Sequence, residues 1–166
     1  NAIVYRDKIT GQLDYYLYDG HESTKGIRVH VIGGGGSASG VIRLLFERGY
    51  KVSAGVLTHG DSDLECAEVF GIDYVPGEPF CEISDEAFAH NVDMVKNSQI
   101  TVLCNMPFGK LNIRNLKAAR YAKRLIIIED DPPETRDYTG GEAIRLYGLL
   151  KKNAEVVSQA RLHEVI

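Results

Sequence analysis

Past residue 26 the chain alternates short apolar runs with stretches of helical periodicity, the pattern of βαβ units on a mostly parallel sheet. The apolar runs fall at residues 27–32, 51–57, 72–75, 100–104 and 125–129, with a weaker one at 155–157. Between them, Val41, Leu44, Leu45 and Arg48 keep helical spacing over 37–48, and Gly49 is a natural left-handed stop. A second helix is expected over 61–70, ending at Gly71. Ser84 reads as the N-cap of a third, with Asp85 and Glu86 in its first turn and its end near 97. Helices over 112–123, 142–152 and 159–166, the last capped by Ser158, complete the set. With right-handed crossovers these elements make an open, doubly wound α/β/α sheet. Upstream, residues 2–5 and 13–18 are β-prone and flank Lys8-Ile9-Thr10-Gly11 as a hairpin or arm, and 19–26 reads as a polar linker. The expected division is therefore an arm and linker over 1–26 and a ligand-binding domain over 27–166.

Composition adds exclusions. The 166 residues are 44% hydrophobic and 25% charged, ordinary for one globular domain. A net charge of −4 argues against a nucleic-acid binder, which needs clustered cations. Lys110, Arg114, Lys117, Arg120, Lys123 and Arg124 recur every few residues and read as one solvated helix face. The three cysteines, Cys66, Cys81 and Cys104, have no C-x-x-C spacing, so no disulfide framework is indicated and a reducing, cytoplasmic compartment fits best. No apolar stretch approaches the ~20 residues that cross a bilayer, and no signal peptide is evident. The start at Asn1 rather than Met suggests a piece cut from a longer polypeptide.

The chemistry concentrates after the first strand. Gly33-Gly34-Gly35-Gly36-Ser37-Ala38 fits G-x-G-x-x-G/A between a strand and a helix, the setting in which backbone N–H groups and a helix N-terminus face an anion. Ser37 and Ser39 add hydroxyl donors. The plain alternative is a tight turn, but four successive glycines cost roughly 0.5–1 kcal/mol each relative to alanine, more than a turn requires. No Lys-Ser or Lys-Thr follows, which excludes a P-loop. No acidic residue ends the second strand at Thr58, so a standard NAD site is disfavoured, although a bent loop could return Asp61 or Asp63. Polar residues beyond the carboxyl ends of the strands complete the candidate site: Thr58, Gly60, Asp61 and Asp63, then Pro79 and Phe80, then Asn105, Pro107, Phe108, Gly109 and Asn112. Each has a structural alternative, such as helix capping by Asp61 or Asn112. Glu129-Asp130-Asp131 reads as a solvated acidic run. The five histidines are scattered without metal spacing and default to structural roles. No catalytic triad or nucleophile elbow is discernible.

Residues 29–39 (VHVIGGGGSAS), Gly55-Val56-Leu57, Gly60-Asp61-Ser62-Asp63, Pro79-Phe80, Ile83-Ser84 and Pro107-Phe108-Gly109-Lys110-Leu111-Asn112 together resemble one family. It is the domain that follows the ATPase in some ATP-binding proteins of cobalamin or iron-siderophore ABC transporters, and the resemblance covers residues 27–147. It implies a small anionic metabolite as ligand, with an upstream ATPase domain and transporter subunits as partners, and no ATPase activity in this fragment. At fold level the chain also resembles the SLOG superfamily of Rossmann-like nucleotide-ligand proteins, which implies a homodimer. The hydrolase branch of that group carries P-G-G-x-G-T-x-x-E where this chain has residues 105–112 (NMPFGKLN), so its catalytic residues cannot be carried over. Three readings result: a ligand-sensing domain for a nucleotide or other phosphate-bearing metabolite, a nucleotide-processing enzyme of the phosphoribohydrolase type using Asp61, Asp63 or Glu129, and a dimerising module with an empty glycine loop. No cofactor is assigned beyond that nucleotide or phosphate.

Overall fold

The computed structural model describes residues 2–6, 13–17, 26–33, 35–58, 62–78, 81–104, 113–130 and 141–166. The hairpin expected at the start is present as β1 (Ala2–Arg6) and β2 (Leu13–Leu17), paired antiparallel. The rest forms a sheet of six parallel strands: β3 (Arg28–Gly33), β4 (Lys51–Thr58), β5 (Asp73–Gly77), β6 (Ile100–Cys104), β7 (Leu125–Ile128) and β8 (Ala154–Val157). Their order across the sheet is β5-β4-β3-β6-β7-β8, the doubly wound Rossmann-like arrangement in which the chain starts centrally and winds outward both ways.

β6 (ITVLC) and β7 (LIII) are buried along their whole length, as strands covered on both faces must be. On one face α1 (Gly35–Glu47) and α2 (Ser62–Phe70) pack through Val41, Ile42, Leu45, Leu64 and Ala67 onto Val29, Val31 and Val102. On the other, α3 (Asp85–Lys96), α4 (Ile113–Ala119) and α5 (Gly141–Lys151) bring Val92, Val95, Leu116, Leu146 and Leu150 onto Ile32, Leu103, Leu125 and Ile127. The alternation of Leu125 and Ile127 with Ile126 and Ile128 divides β7 between these two cores.

The helix stops behave as expected. Gly49 and Gly71 take positive φ (88° and 65°), and the next amides, of Tyr50 and Ile72, reach back to the carbonyls of Leu45 and Ala67. Ser84 caps α3, its hydroxyl accepting from the Ala87 amide at 3.1 Å.

Three expectations need correction. The final segment is a 3-10 helix, Gln159–Glu164, and Ser158 makes no side-chain cap bond there. α4 stops at Ala119, so Lys123 and Arg124 leave the supposed helix face, and Arg124 instead pairs with Glu155 at 2.7 Å. Glu129 and Asp130 are engaged rather than simply solvated: Glu129 accepts from the Tyr147 hydroxyl and pairs with Lys151 at 3.1 Å, and Asp130 Oδ1 accepts the Gln159 amide at 2.9 Å.

Candidate functional site

β3 is followed through α1 by β4 on one side, while β6 on its other side is entered from β5 through α3. The switch point of the sheet therefore lies between β3 and β6, where ligand crevices open in folds of this kind. The two strand ends there, Gly33 and Cys104, are register partners. A Cβ built at Gly33 would stand 2.7 Å from Cys104 Cβ and 2.9 Å from the Cys104 carbonyl oxygen. Any other residue at Gly33 would force the two strands apart.

α1 begins at Gly35, and its first turn carries no acidic residue. The positive end of the helix dipole is thus not neutralised by a carboxylate from within the first turn of α1. Ser37 and Ser39, both half-buried, lie in the same stretch. Ser39 Oγ donates to Ser62 Oγ at 3.0 Å and its carbonyl receives the Cys66 thiol at 3.7 Å, so Ser39 ties α1 to α2.

Asp63 lies in the first turn of α2 and is only 1% exposed. Its Oδ1 accepts the Leu64 amide at 3.0 Å. Burial raises the thiol pKa of Cys104, and the Asp63 and Asp130 carboxylates push it further the same way. Cys66 is raised to about 11, chiefly by burial, with Asp63 again adding to it. Burial leaves Cys104 a neutral thiol at physiological pH and no nucleophile.

Beneath this edge runs a buried polar chain. The Ser53 hydroxyl donates to His30 Nδ1 at 2.7 Å, His30 Nε2 donates to Asn91 Oδ1 at 2.6 Å, and Asn91 Nδ2 donates to Asn115 Oδ1 at 3.3 Å. Because the Asn91 oxygen can only accept, the imidazole is the neutral Nε2–H tautomer. Burial lowers the His30 pKa to about 4; the Asn91 hydrogen bond opposes the drop and His90 assists it. The chain links β4, β3, α3 and α4. Gly55 makes room for it, since a Cβ there would lie 2.8 Å from Asn91 Oδ1.

Of the residues expected at the site, Gly33, Gly35, Gly36, Ser37, Ser39, Asp63 and the Thr58 backbone are described. Gly33 and Thr58 end neighbouring strands at one edge of the sheet, and Gly35 and Asp63 lie in the first turns of the helices that follow. Gly34, Gly60, Asp61, Pro79, Phe80, Asn105, Pro107, Phe108, Gly109 and Asn112 lie outside the described residues. Sequence reasoning passed over Cys104 as the close partner of Gly33 and His30 as the centre of a polar chain. A histidine inside an otherwise apolar strand was the available signal. Among the described residues no group of three His, Cys, Asp or Glu could hold a metal, and no helix is long and apolar enough to cross a membrane.

The MJ0874 family model matches residues 52–163, more than half of the chain, and the chain belongs to that family. It is similar to the uncharacterized protein MJ0874 of Methanocaldococcus jannaschii, 35% identical over 80 residues that make up 46% of this chain and 86% of that protein. It is also similar to the cobalamin import ATP-binding protein BtuD in two strains of Halobacterium salinarum, 41% identical over 61 residues, 37% of this chain. The match spans only 15% of BtuD. Among solved structures, glutamyl-tRNA reductase from Methanopyrus kandleri superposes with a TM-score of 0.45 at 19% identity, over 84% of this chain and 32% of that one.

Proposed function

We propose that this member of the MJ0874 family is a regulatory domain that binds a nucleotide-like, phosphate-bearing metabolite beyond Gly33 and Cys104. In this reading the phosphate sits at the N-terminus of α1 and occupancy is reported to the ATP-binding protein of a cobalamin or iron-siderophore ABC transporter. The observation that carries it is the coincidence of the glycine run with the switch point of the sheet. The Asp130 carboxylate, exposed just beyond the end of β7, suits a ligand whose sugar hydroxyls can donate to it. The similarity to BtuD supports an ATPase partner. The arm over 1–26 would connect to that partner, and a homodimer remains part of the proposal.

The competing reading is a nucleotide-cleaving enzyme with Asp61, Asp63 or Glu129 as general acid or base. The pairing of Glu129 with Tyr147 and Lys151 weighs against a free base at that position. Calorimetry and thermal-shift screening against nucleoside phosphates and cobamide precursors test the proposal. A nucleoside phosphate or cobamide precursor should bind and raise the melting temperature, with orthophosphate a poor competitor and no free base released on incubation. Absence of binding across that panel would sink the regulatory reading, and release of free base would replace it with the enzymatic one.

A further inference from the structure

The amino edge of the sheet, opposite the glycine run, carries a concavity. Where α4 gives way to β7 and α5 to β8, Leu125, Leu149 and Leu150 line a cavity of about 330 Å³ whose other walls include Arg120, Lys152 and Asn153. Leu125 and Leu150 are buried and form its floor, while Leu149 is 51% exposed at its mouth. A neighbouring hollow of about 270 Å³ shares Arg120 and contains Phe88, Lys117 and Tyr121, with Lys96 Nζ 4.7 Å from the Tyr121 ring. Lys117 is paired with Glu142 at 3.5 Å. Among the described residues, the side chains of Arg120 and Lys152 make no ion pair or hydrogen bond. In a chain of net charge −4, two cations without an ion pair stand beside a hollow whose lining is part polar and part apolar.

We propose that this cavity binds a small carboxylate with an unbranched apolar body. The tail lies on Leu125, Leu149 and Leu150, and the carboxylate sits between Arg120 and Lys152. The volume is in the range of small-ligand pockets. A planar guanidinium matches a carboxylate in two parallel hydrogen bonds, and an ammonium adds a point charge. A neutral chain would find only the apolar half of the site. A cationic one would meet like charges. The site is independent of the carboxyl edge, so it stands or falls separately from the proposed function.

The test is a titration of the intact chain with octanoate, octanol and octyltrimethylammonium, followed by backbone amide shifts of Leu149, Leu150 and Asn153. Octanoate should move these amides saturably, octanol should bind about tenfold more weakly, and the cation should leave them unmoved. Arg120 and Lys152 are exposed, so the double variant Arg120→Glu, Lys152→Glu should retain its fold by circular dichroism and lose about tenfold or more in octanoate affinity. Loss of binding in Leu149→Asp, with the fold intact, would support the same placement of the tail. No saturable shift at these amides, equal affinity for octanol, or an unaltered affinity in the folded double variant would each overturn the proposal.

Discussion

His30 Nε2 donates to Asn91 Oδ1 at 2.6 Å, joining the middle of β3 to the inner face of α3. The bond holds a neutral imidazole whose pKa is lowered from 6.5 to about 4 by burial. On unfolding the ring regains its ordinary pKa, so between these two values the unfolded chain binds a proton that the folded chain refuses. Stability from this group is present above pH 6.5 and declines as pH falls towards 4, by about 3 kcal/mol in all. Urea unfolding from pH 7.5 to 4.5 measures it. His30→Leu should be less stable at pH 7.5 yet lose less on acidification. An equal loss in both proteins would show that His30 does not carry the dependence.

Gly55 and Gly33 should resist substitution for different reasons. A Cβ at Gly55 meets the end of a side chain, Asn91 Oδ1 at 2.8 Å, besides Val75 at 3.2 Å. Gly55→Ala should cost about 1–3 kcal/mol and cost clearly less in an Asn91→Ala background, a coupling that a double-mutant cycle reads directly. At Gly33 the obstacles are Cys104 Cβ and its carbonyl oxygen, both of which survive Cys104→Ala. The cost of Gly33→Ala should therefore be the same in either background. Rescue at Gly33, or none at Gly55, would contradict the geometry.

The cysteines should differ in reactivity. Cys81 is exposed, Cys66 is partly buried with its pKa raised to about 11, and Cys104 is fully buried with its pKa raised by burial. Only the thiolate reacts with iodoacetamide. At pH 7.5 labelling should proceed at Cys81 first, then slowly at Cys66, with Cys104 modified only when denaturant is added. Peptide mapping by mass spectrometry gives the order, and early labelling of Cys104 would mean that the end of β6 is open to solvent.

The parallel sheet was legible because β6 and β7 are unbroken apolar runs, and helix ends were legible where Gly49, Gly71 or Ser84 supplied a specific stop or cap. α1 was placed two residues late because glycines carry no helical signal: the helix starts at Gly35 rather than Ser37. The basic row over 110–124 kept helical spacing beyond Ala119, where the chain turns towards β7. Spacing alone does not register that turn. The burial of Asp63 and the chain through His30 depend on partners far along the sequence, His30 and Asn91 being 61 residues apart. Local pattern cannot encode such meetings, although the lone histidine in Val29-His30-Val31 marked where one would be needed.

Gly35 separates the proposed ligand site from mere architecture. It is the first residue of α1, where the helix amides are unpaired by the helix itself and a phosphate would approach the backbone most closely. A valine there puts branched bulk into that approach while disturbing only a helix end, where propensity costs are small. Gly35→Val should remain folded by circular dichroism and lose nucleotide binding in calorimetry. Ser39→Ala should do the reverse. Its hydroxyl already donates to Ser62, so its removal should lower thermal stability by about 0.5–1.5 kcal/mol through the contact of α1 with α2 and leave affinity within a few-fold. If Gly35→Val folds and binds a nucleotide as tightly as the native chain, the phosphate does not sit at α1 and the proposed site is wrong.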